Sequence, residues 1–351
     1  MITADAAILD APPAVVQAVR VVPAILVVEV AVVAAAVTDF NIQWHITERC
    51  NCRCAHCYQE SNSIETPLDK ALRYIEMFKK FLPPGSGRLT VTGGEPLLHP
   101  GLWSILEALR PHFSVALLTN GTLITPEIAR RLAGLDLKFV QVSIEGRPET
   151  HDKIRGPGSY TAAMDGLNCL IRENVKVSVS FTAHRTNWRE LPSVVKQCRK
   201  IGARKIWVDR LIPQGSGTQM ISLDPDETRR LLISMRKNDV SMDRALQFLE
   251  GGRPYVCSAG KSLLAVLPDG TVVPCRRMPI PLGNLDQQRI EDIYRSDYCT
   301  SLRETRCKGC ERCLYVNICD GGLRCLAYAV NGDPFTPDPG CWIARSIAEN
   351  Q

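Results

Sequence analysis

The chain has 351 residues, with 42 Lys+Arg against 37 Asp+Glu and a net charge of +5. So mild a basic excess does not point to nucleic acid as a partner. Apolar residues at 45% and charged residues at 23% exclude a disordered or collagen-like chain. The 15 cysteines are odd in number and unevenly spread: four between Cys50 and Cys57, nine from Cys257 to Cys341, and only Cys169 and Cys198 between. That pattern fits metal or cluster ligation in a reducing, cytoplasmic compartment better than disulfides.

Residues 1–39 form an apolar extension. Its run over residues 13–37 is interrupted by Arg20, Pro23 and Glu29, and its start carries Asp5 and Asp10 instead of basic residues. A buried or peripheral segment is expected, with a membrane anchor as the alternative.

From residue 40 β-rich runs alternate with helical patterns. Strands are expected at Phe40–Thr47, Arg88–Thr92, Ser114–Thr119, Phe139–Ile144, Val175–Thr182 and Lys205–Leu211. Between them, the stretch 68–82 places Leu68, Leu72, Ile75, Phe78 and Leu82 on one helical face. TPEIARRL and LDPDETRRLL carry helix-start signals. Six β–α units imply parallel strands with right-handed crossovers. Either an open partial barrel or a doubly wound sheet follows, and both put ligands at the strand C-termini. After residue 222 a helix-rich linker leads to an Asp269-Gly270 hairpin and a loop-rich, cysteine-dense end.

The distinctive residues fall at those strand ends. Cys50, Cys54 and Cys57 share the loop after the first strand, and three thiolates can hold a [4Fe–4S] cluster with one iron left open. Gly93-Gly94-Glu95-Pro96 follows the second strand, Asn120 the third, Ser143 ends the fourth, and Asn187 follows the fifth.

The spacing Cys50-x3-Cys54-x2-Cys57, followed by Tyr58 and the Gly93-Gly94-Glu95-Pro96 turn, resembles the signature of radical S-adenosylmethionine (SAM) enzymes. The resemblance implies a partial (β/α)6 TIM-like barrel over residues 40–222 and an enzyme that binds SAM on a [4Fe–4S] cluster. Cys52 lies outside the spacing and is expected to be a spectator. Tyr58, Gly93, Gly94, Glu95, Asn120, Ser143, Arg155 and Asn187 are the implied SAM-site residues, Glu95 toward the SAM amino group and Arg155 toward its carboxylate. A structural salt bridge is the alternative for Arg155. Glu145 stands where relatives often have Asp, so no role is transferred to it.

Residues 223–351 are similar to the SPASM extension, a small cysteine-rich domain with one or two auxiliary [4Fe–4S] clusters. Family pairing implies Cys310, Cys313, Cys319 and Cys341 around one cluster and Cys257, Cys275 and Cys325 around the other. The fourth ligand of the latter stays open: Cys307, Cys299, a non-cysteine group or an open iron. A structural zinc module is the rival, since C-x2-C pairs also suit zinc. Cys169 and Cys198 are expected in the core.

SPASM resemblance implies a ribosomally made peptide or protein as substrate and a peptide maturase as the enzyme type. It also implies a low-potential electron donor such as flavodoxin or ferredoxin, with a separate peptide-recognition protein as a further candidate partner. Arg276 directly after Cys275 departs from relatives that mature sulfatases, which often carry an acid there. A small-molecule substrate such as a tetrapyrrole is the alternative, and a non-catalytic metal-binding scaffold is the rival of another class.

Overall fold

Alternation in Phe40–His45 sets the plan of the barrel. This strand, β1, buries Phe40, Ile42 and Trp44 on one face and leaves Asn41 and Gln43 half-buried on the other. The buried face meets the helix Leu68–Phe81, where Trp44 stacks edge-on against Phe78 at 5.4 Å between ring centroids. Ala71, Tyr74, Ile75 and Phe78 form the buried stripe of that helix, at the spacing that lines up one face. The helix stops where Leu82 turns extended ahead of Pro83, as a residue before proline prefers.

The computed structural model describes residues 40–59, 63–203, 205–240, 246–251 and 256–349, all in one compact unit. The 1–39 extension lies outside the described residues.

Strands β2 (Gly87–Thr92), β3 (Ser114–Thr119), β4 (Phe139–Ser143), β5 (Val177–Ala183) and β6 (Lys205–Arg210) follow β1, and each lies parallel beside its predecessor. This is the partial (β/α)6 TIM-like barrel of the α/β class that the family resemblance implies, one of the two arrangements the alternation allows, with bounds shifted by a residue or two. Helix starts are capped as expected: Thr125 accepts from the Ile128 N–H, and Asp224 and Glu227 form a capping box. The linker resolves into the helix Pro225–Lys237 and a 3₁₀ turn Gln247–Glu250.

The hairpin forms between β7 (Leu263–Val266) and β8 (Thr271–Val273), turning at Gly270 with φ +92°. A short β9 (Gly283–Asn284) completes a nine-stranded sheet. Unanticipated by the sequence reading, β7 adds to β1 in parallel, Asn41 opposite Leu263. The cysteine-rich segment is thus hydrogen-bonded to the barrel edge. A buried ion pair also joins the two: Arg210, at the end of β6, donates through Nη1 to Asp338 Oδ1 at 2.8 Å.

Candidate active site

The loop after β1 is held from three sides by backbone. The Gly94 N–H donates to the Thr47 carbonyl and the Glu95 N–H to the Arg49 carbonyl, both at 2.7 Å. The Ala55 N–H donates to the Ile154 carbonyl at 2.8 Å, and the Gly217 N–H reaches the Cys57 carbonyl at 3.3 Å. Gly94 is required by this approach, because a Cβ there would overlap the Arg49 carbonyl oxygen.

Cys50, Cys54 and Cys57 line a cavity of about 540 Å³ at the strand C-termini, with Tyr58, Gly93, Gly94, Asn120, Ser143 and Arg155. Nearly every residue expected from sequence at the SAM site is therefore gathered at one place. Glu95 and Asn187 are not on its wall. Glu95 is fully buried: Oε1 accepts from the Leu97 N–H and the Thr119 hydroxyl, and Oε2 from the Asn120 N–H. Burial pushes its carboxyl up to about 7 against those hydrogen bonds. Its position ties the β2 loop to the end of β3. Asn187, also buried, donates to the Glu145 and Thr182 carbonyls and accepts from the His184 N–H, bracing the β4 and β5 ends.

Glu145, given no role from sequence, is the electrostatic anchor here. Its Oε1 accepts from Arg155 at 2.6 and 3.1 Å and lies 3.4 Å from His56 Nε2, while Oε2 accepts from the Thr182 N–H. Burial alone would raise the Glu145 carboxyl. Arg155 and His56 outweigh burial and hold it well below the carboxylate range. Arg155 in turn points Nη1 at Cys54 Sγ, 3.6 Å away. The guanidinium is thus salt-bridged, the alternative left open for it, and also faces a cysteine of the expected cluster.

The thiols are suited to ligation. Cys52 donates to Cys50 and Cys54, and this hydrogen bonding is the main reason the Cys50 thiol falls to about 6 and the Cys54 thiol to about 5. Arg155 adds to both shifts. Thiolates, not thiols, bind metal. Three thiols on one cavity wall, two of them acidified and the third, Cys57, pushed up by burial, fit a site-differentiated [4Fe–4S] cluster. Asn120 aims its Nδ2 toward Cys50 Sγ at 4.0 Å. The Ser143 hydroxyl accepts from Ser180 at 3.1 Å. Tyr58 is half-buried, desolvation pushes its phenol up to about 12, and the Arg276 guanidinium lies 5.8 Å from its ring.

Cys310, Cys313, Cys319 and Cys341 line a separate small cleft among Leu246, Phe248 and Ile343. Four thiols in an apolar setting suit an auxiliary [4Fe–4S] cluster. Cys257, Cys275 and Cys325 are buried together in a second, smaller core with Met278 and Leu326. Cys307 donates to Cys310 Sγ at 3.1 Å, and Cys299 to the Gly260 carbonyl at 3.5 Å. Cys307 therefore sits beside the four-cysteine set, not with the three-cysteine one. Cys198 is buried and Cys169 packs partly buried against the main core, as expected of spectators. Among the described residues, no three or more His, Cys, Asp or Glu converge on a single-ion site.

Residues 44–198 match the radical SAM superfamily model and residues 257–314 the iron–sulfur cluster-binding domain model (SPASM). The chain is 29% identical to the pre-heme d1 synthase of Dinoroseobacter shibae over 86% of each chain. It is also 29% identical to the AdoMet-dependent heme synthase of Methanosarcina barkeri, over 86% of this chain and 95% of that one. The mycofactocin maturase of Mycobacterium tuberculosis is 28% identical, over 86% of this chain and 82% of its own. Among solved structures, anSMEcpe with bound AdoMet and a peptide superposes with a TM-score of 0.72 at 18% identity, covering 89% of this chain and 99% of that one.

Partial barrel, three-cysteine loop and cysteine-rich extension together define an enzyme that works through SAM and iron–sulfur clusters. The chain belongs to the radical SAM superfamily and carries a SPASM domain. It takes a [4Fe–4S] cluster, SAM and auxiliary iron–sulfur clusters as cofactors, and the metal-scaffold reading falls away.

Proposed function

We propose that the enzyme modifies a small molecule of the tetrapyrrole class by hydrogen abstraction. The observation that carries this reading is a deep chamber. The cavity under the cysteine loop shares Leu118, Gln141, Asp209, Arg276 and Arg277 with a second cavity of about 710 Å³ inside the barrel. Two adjoining, half-open cavities on this scale are what a small-molecule or cofactor-sized ligand fills. Sequence similarity to the two heme-pathway synthases supports the same substrate class.

When bound, the cluster and SAM supply a 5′-deoxyadenosyl radical on one-electron reduction. The chain's own residues do the rest. Cys50, Cys54 and Cys57 hold the cluster, and Arg155, fixed by Glu145, steadies the charge on Cys54. Gly93, Gly94 and Asn120 bring backbone and amide groups to the SAM side of the cavity, with Tyr58 and Ser143 on its walls. Glu95 and Asn187 position these loops. Cys310, Cys313, Cys319 and Cys341 hold one auxiliary cluster; Cys257, Cys275 and Cys325 hold another.

A peptide substrate is the second reading, favoured by similarity to mycofactocin maturase and to the sporulation killing factor maturation protein of Bacillus subtilis. A flavodoxin or ferredoxin would deliver electrons under either reading, and a peptide-recognition protein is needed only under the second. The uneven spacing of the cysteines, read as cluster ligands and core residues and not as disulfide pairs, supports a reducing, cytoplasmic setting. Among the described residues no helix is long and apolar enough to cross a membrane.

Anaerobic incubation of reconstituted enzyme with SAM, reductant and either a tetrapyrrole set or co-expressed peptides, read by mass spectrometry, decides between them. A mass change on a tetrapyrrole is expected. A mass change confined to a peptide overturns the small-molecule reading.

A further inference from the structure

Polar side chains run along the barrel's inward face, beside Leu118, Phe139 and Leu263. Closed barrels fill this space with layers of Val, Ile and Leu. Here Asn41 and Gln43 of β1, Thr90 of β2, Gln141 of β4 and Ser178 of β5 line open volume. Alternation explains why in β1 and β5: these strands give their apolar positions to one face and polar ones to the interior.

Charge in this inner cavity is lopsided. Arg88 of β2 and the solvent-exposed Lys138 ahead of β4, Lys176 ahead of β5 and Lys205 at the start of β6 line it at the strand N-termini. Arg276 and Arg277 line it nearer the mouth, and Asp209 is the single carboxylate among its described lining residues. Asp209 is paired with Arg277 at 3.0 Å, and Lys176 meets Asp136 at 3.0 Å. The Lys205 ammonium stands 4.2 Å from the centre of the Trp207 ring, and Trp207 lines the same wall. A cleft walled by one sign of charge concentrates ligands of the opposite sign. From Lys205 to Asp209 is four strand residues, about 13 Å.

We propose that this basic floor binds the carboxylates of the substrate. The ligand is a flat polycarboxylate, its acid edge against Arg88, Lys138 and Lys205, its face along Trp207, and its opposite edge beneath the cysteine loop. The inference rests on the small-molecule reading and specifies its chemistry: acid groups about 13 Å from the reacting end.

The test is equilibrium binding to reconstituted holoenzyme without reductant, followed by quenching of tryptophan fluorescence. The probes are coproporphyrin III and its tetramethyl ester, which share the ring and differ in charge. The free acid is expected to bind about tenfold tighter than the ester and to weaken as salt rises. The R88Q/K205Q double variant should lose about tenfold in affinity for the acid and little for the ester. K153Q, an exposed lysine away from the cavity, is the control and should bind as wild type. Equal binding of acid and ester by the unmodified enzyme overturns the proposal, and that comparison needs no variant to fold. If the acid binds through the floor but is not converted when SAM and reductant are added, the anion site stands and the small-molecule substrate reading fails.

Discussion

Glu145 shows how one buried carboxylate organises this site. It neutralises Arg155 at 2.6 Å, and Arg155 faces Cys54. Glu145→Gln would leave a buried guanidinium without its counter-charge, a change that costs about 3–5 kcal/mol. Denaturant titration should show that loss, and the [4Fe–4S] absorbance should decay faster. Unchanged stability would mean that solvent replaces the carboxylate freely. His151 gives a pH signature. Burial, then the nearby Arg155, lowers its ring to about 4, and its Nδ1 accepts from the Glu145 N–H at 3.1 Å. The folded value lies below the unfolded one, so the contribution is complete above about 6.5 and is lost as pH falls toward about 4. His151→Asn keeps an acceptor without a titrating ring. Its stability should fall less steeply between those pH values than that of the unmodified protein.

At the scale of elements, the Gly93-Gly94 turn is explained by packing as much as by ligand approach. With the Glu95 N–H it carries two backbone hydrogen bonds to the cysteine loop, and it leaves no room for a Cβ at Gly94. Gly94→Ala is expected to push the loop away from β2 and cut iron retained after reconstitution at least twofold, with the fold intact by circular dichroism. Iron content equal to the unmodified protein would show that the loop is held elsewhere. The elements themselves were largely legible in the sequence. Period-2 alternation in Phe40–His45 and the helical stripe on Leu68–Phe81 are local signals, and they survive in the fold because each buries its apolar face. Cysteine spacing and the glycine pair were legible for the same reason. The parallel pairing of β7 with β1 was not, since it joins residues more than 200 positions apart. The roles of Glu145, Glu95 and Asn187 were hidden likewise, because each is defined by partners on other strands. The hint available in the sequence was the salt bridge left open as the alternative for Arg155, with no partner named.

For the whole molecule, the cysteine-rich segment is an extension of the barrel's own sheet, clamped by Arg210 and Asp338. Asp338 also accepts from the Leu323 and Gly340 N–H groups, so it organises the auxiliary-cluster segment while it pairs with the barrel. Asp338→Asn should therefore destabilise by about 3–5 kcal/mol. It should also lower auxiliary-cluster iron more than barrel-cluster iron in Mössbauer spectra; equal losses would mean the two parts do not divide at this pair. The central claim is that Cys50, Cys54 and Cys57 make this chain a SAM-cleaving enzyme while the C-terminal cysteines serve other clusters. Anaerobic 5′-deoxyadenosine production from SAM under reductant tests it most directly. Cleavage is expected in the unmodified enzyme, none in Cys54→Ala, and largely retained, substrate-uncoupled cleavage in Cys310→Ala. No cleavage by the reconstituted unmodified enzyme, or the same loss in both variants, would contradict the account.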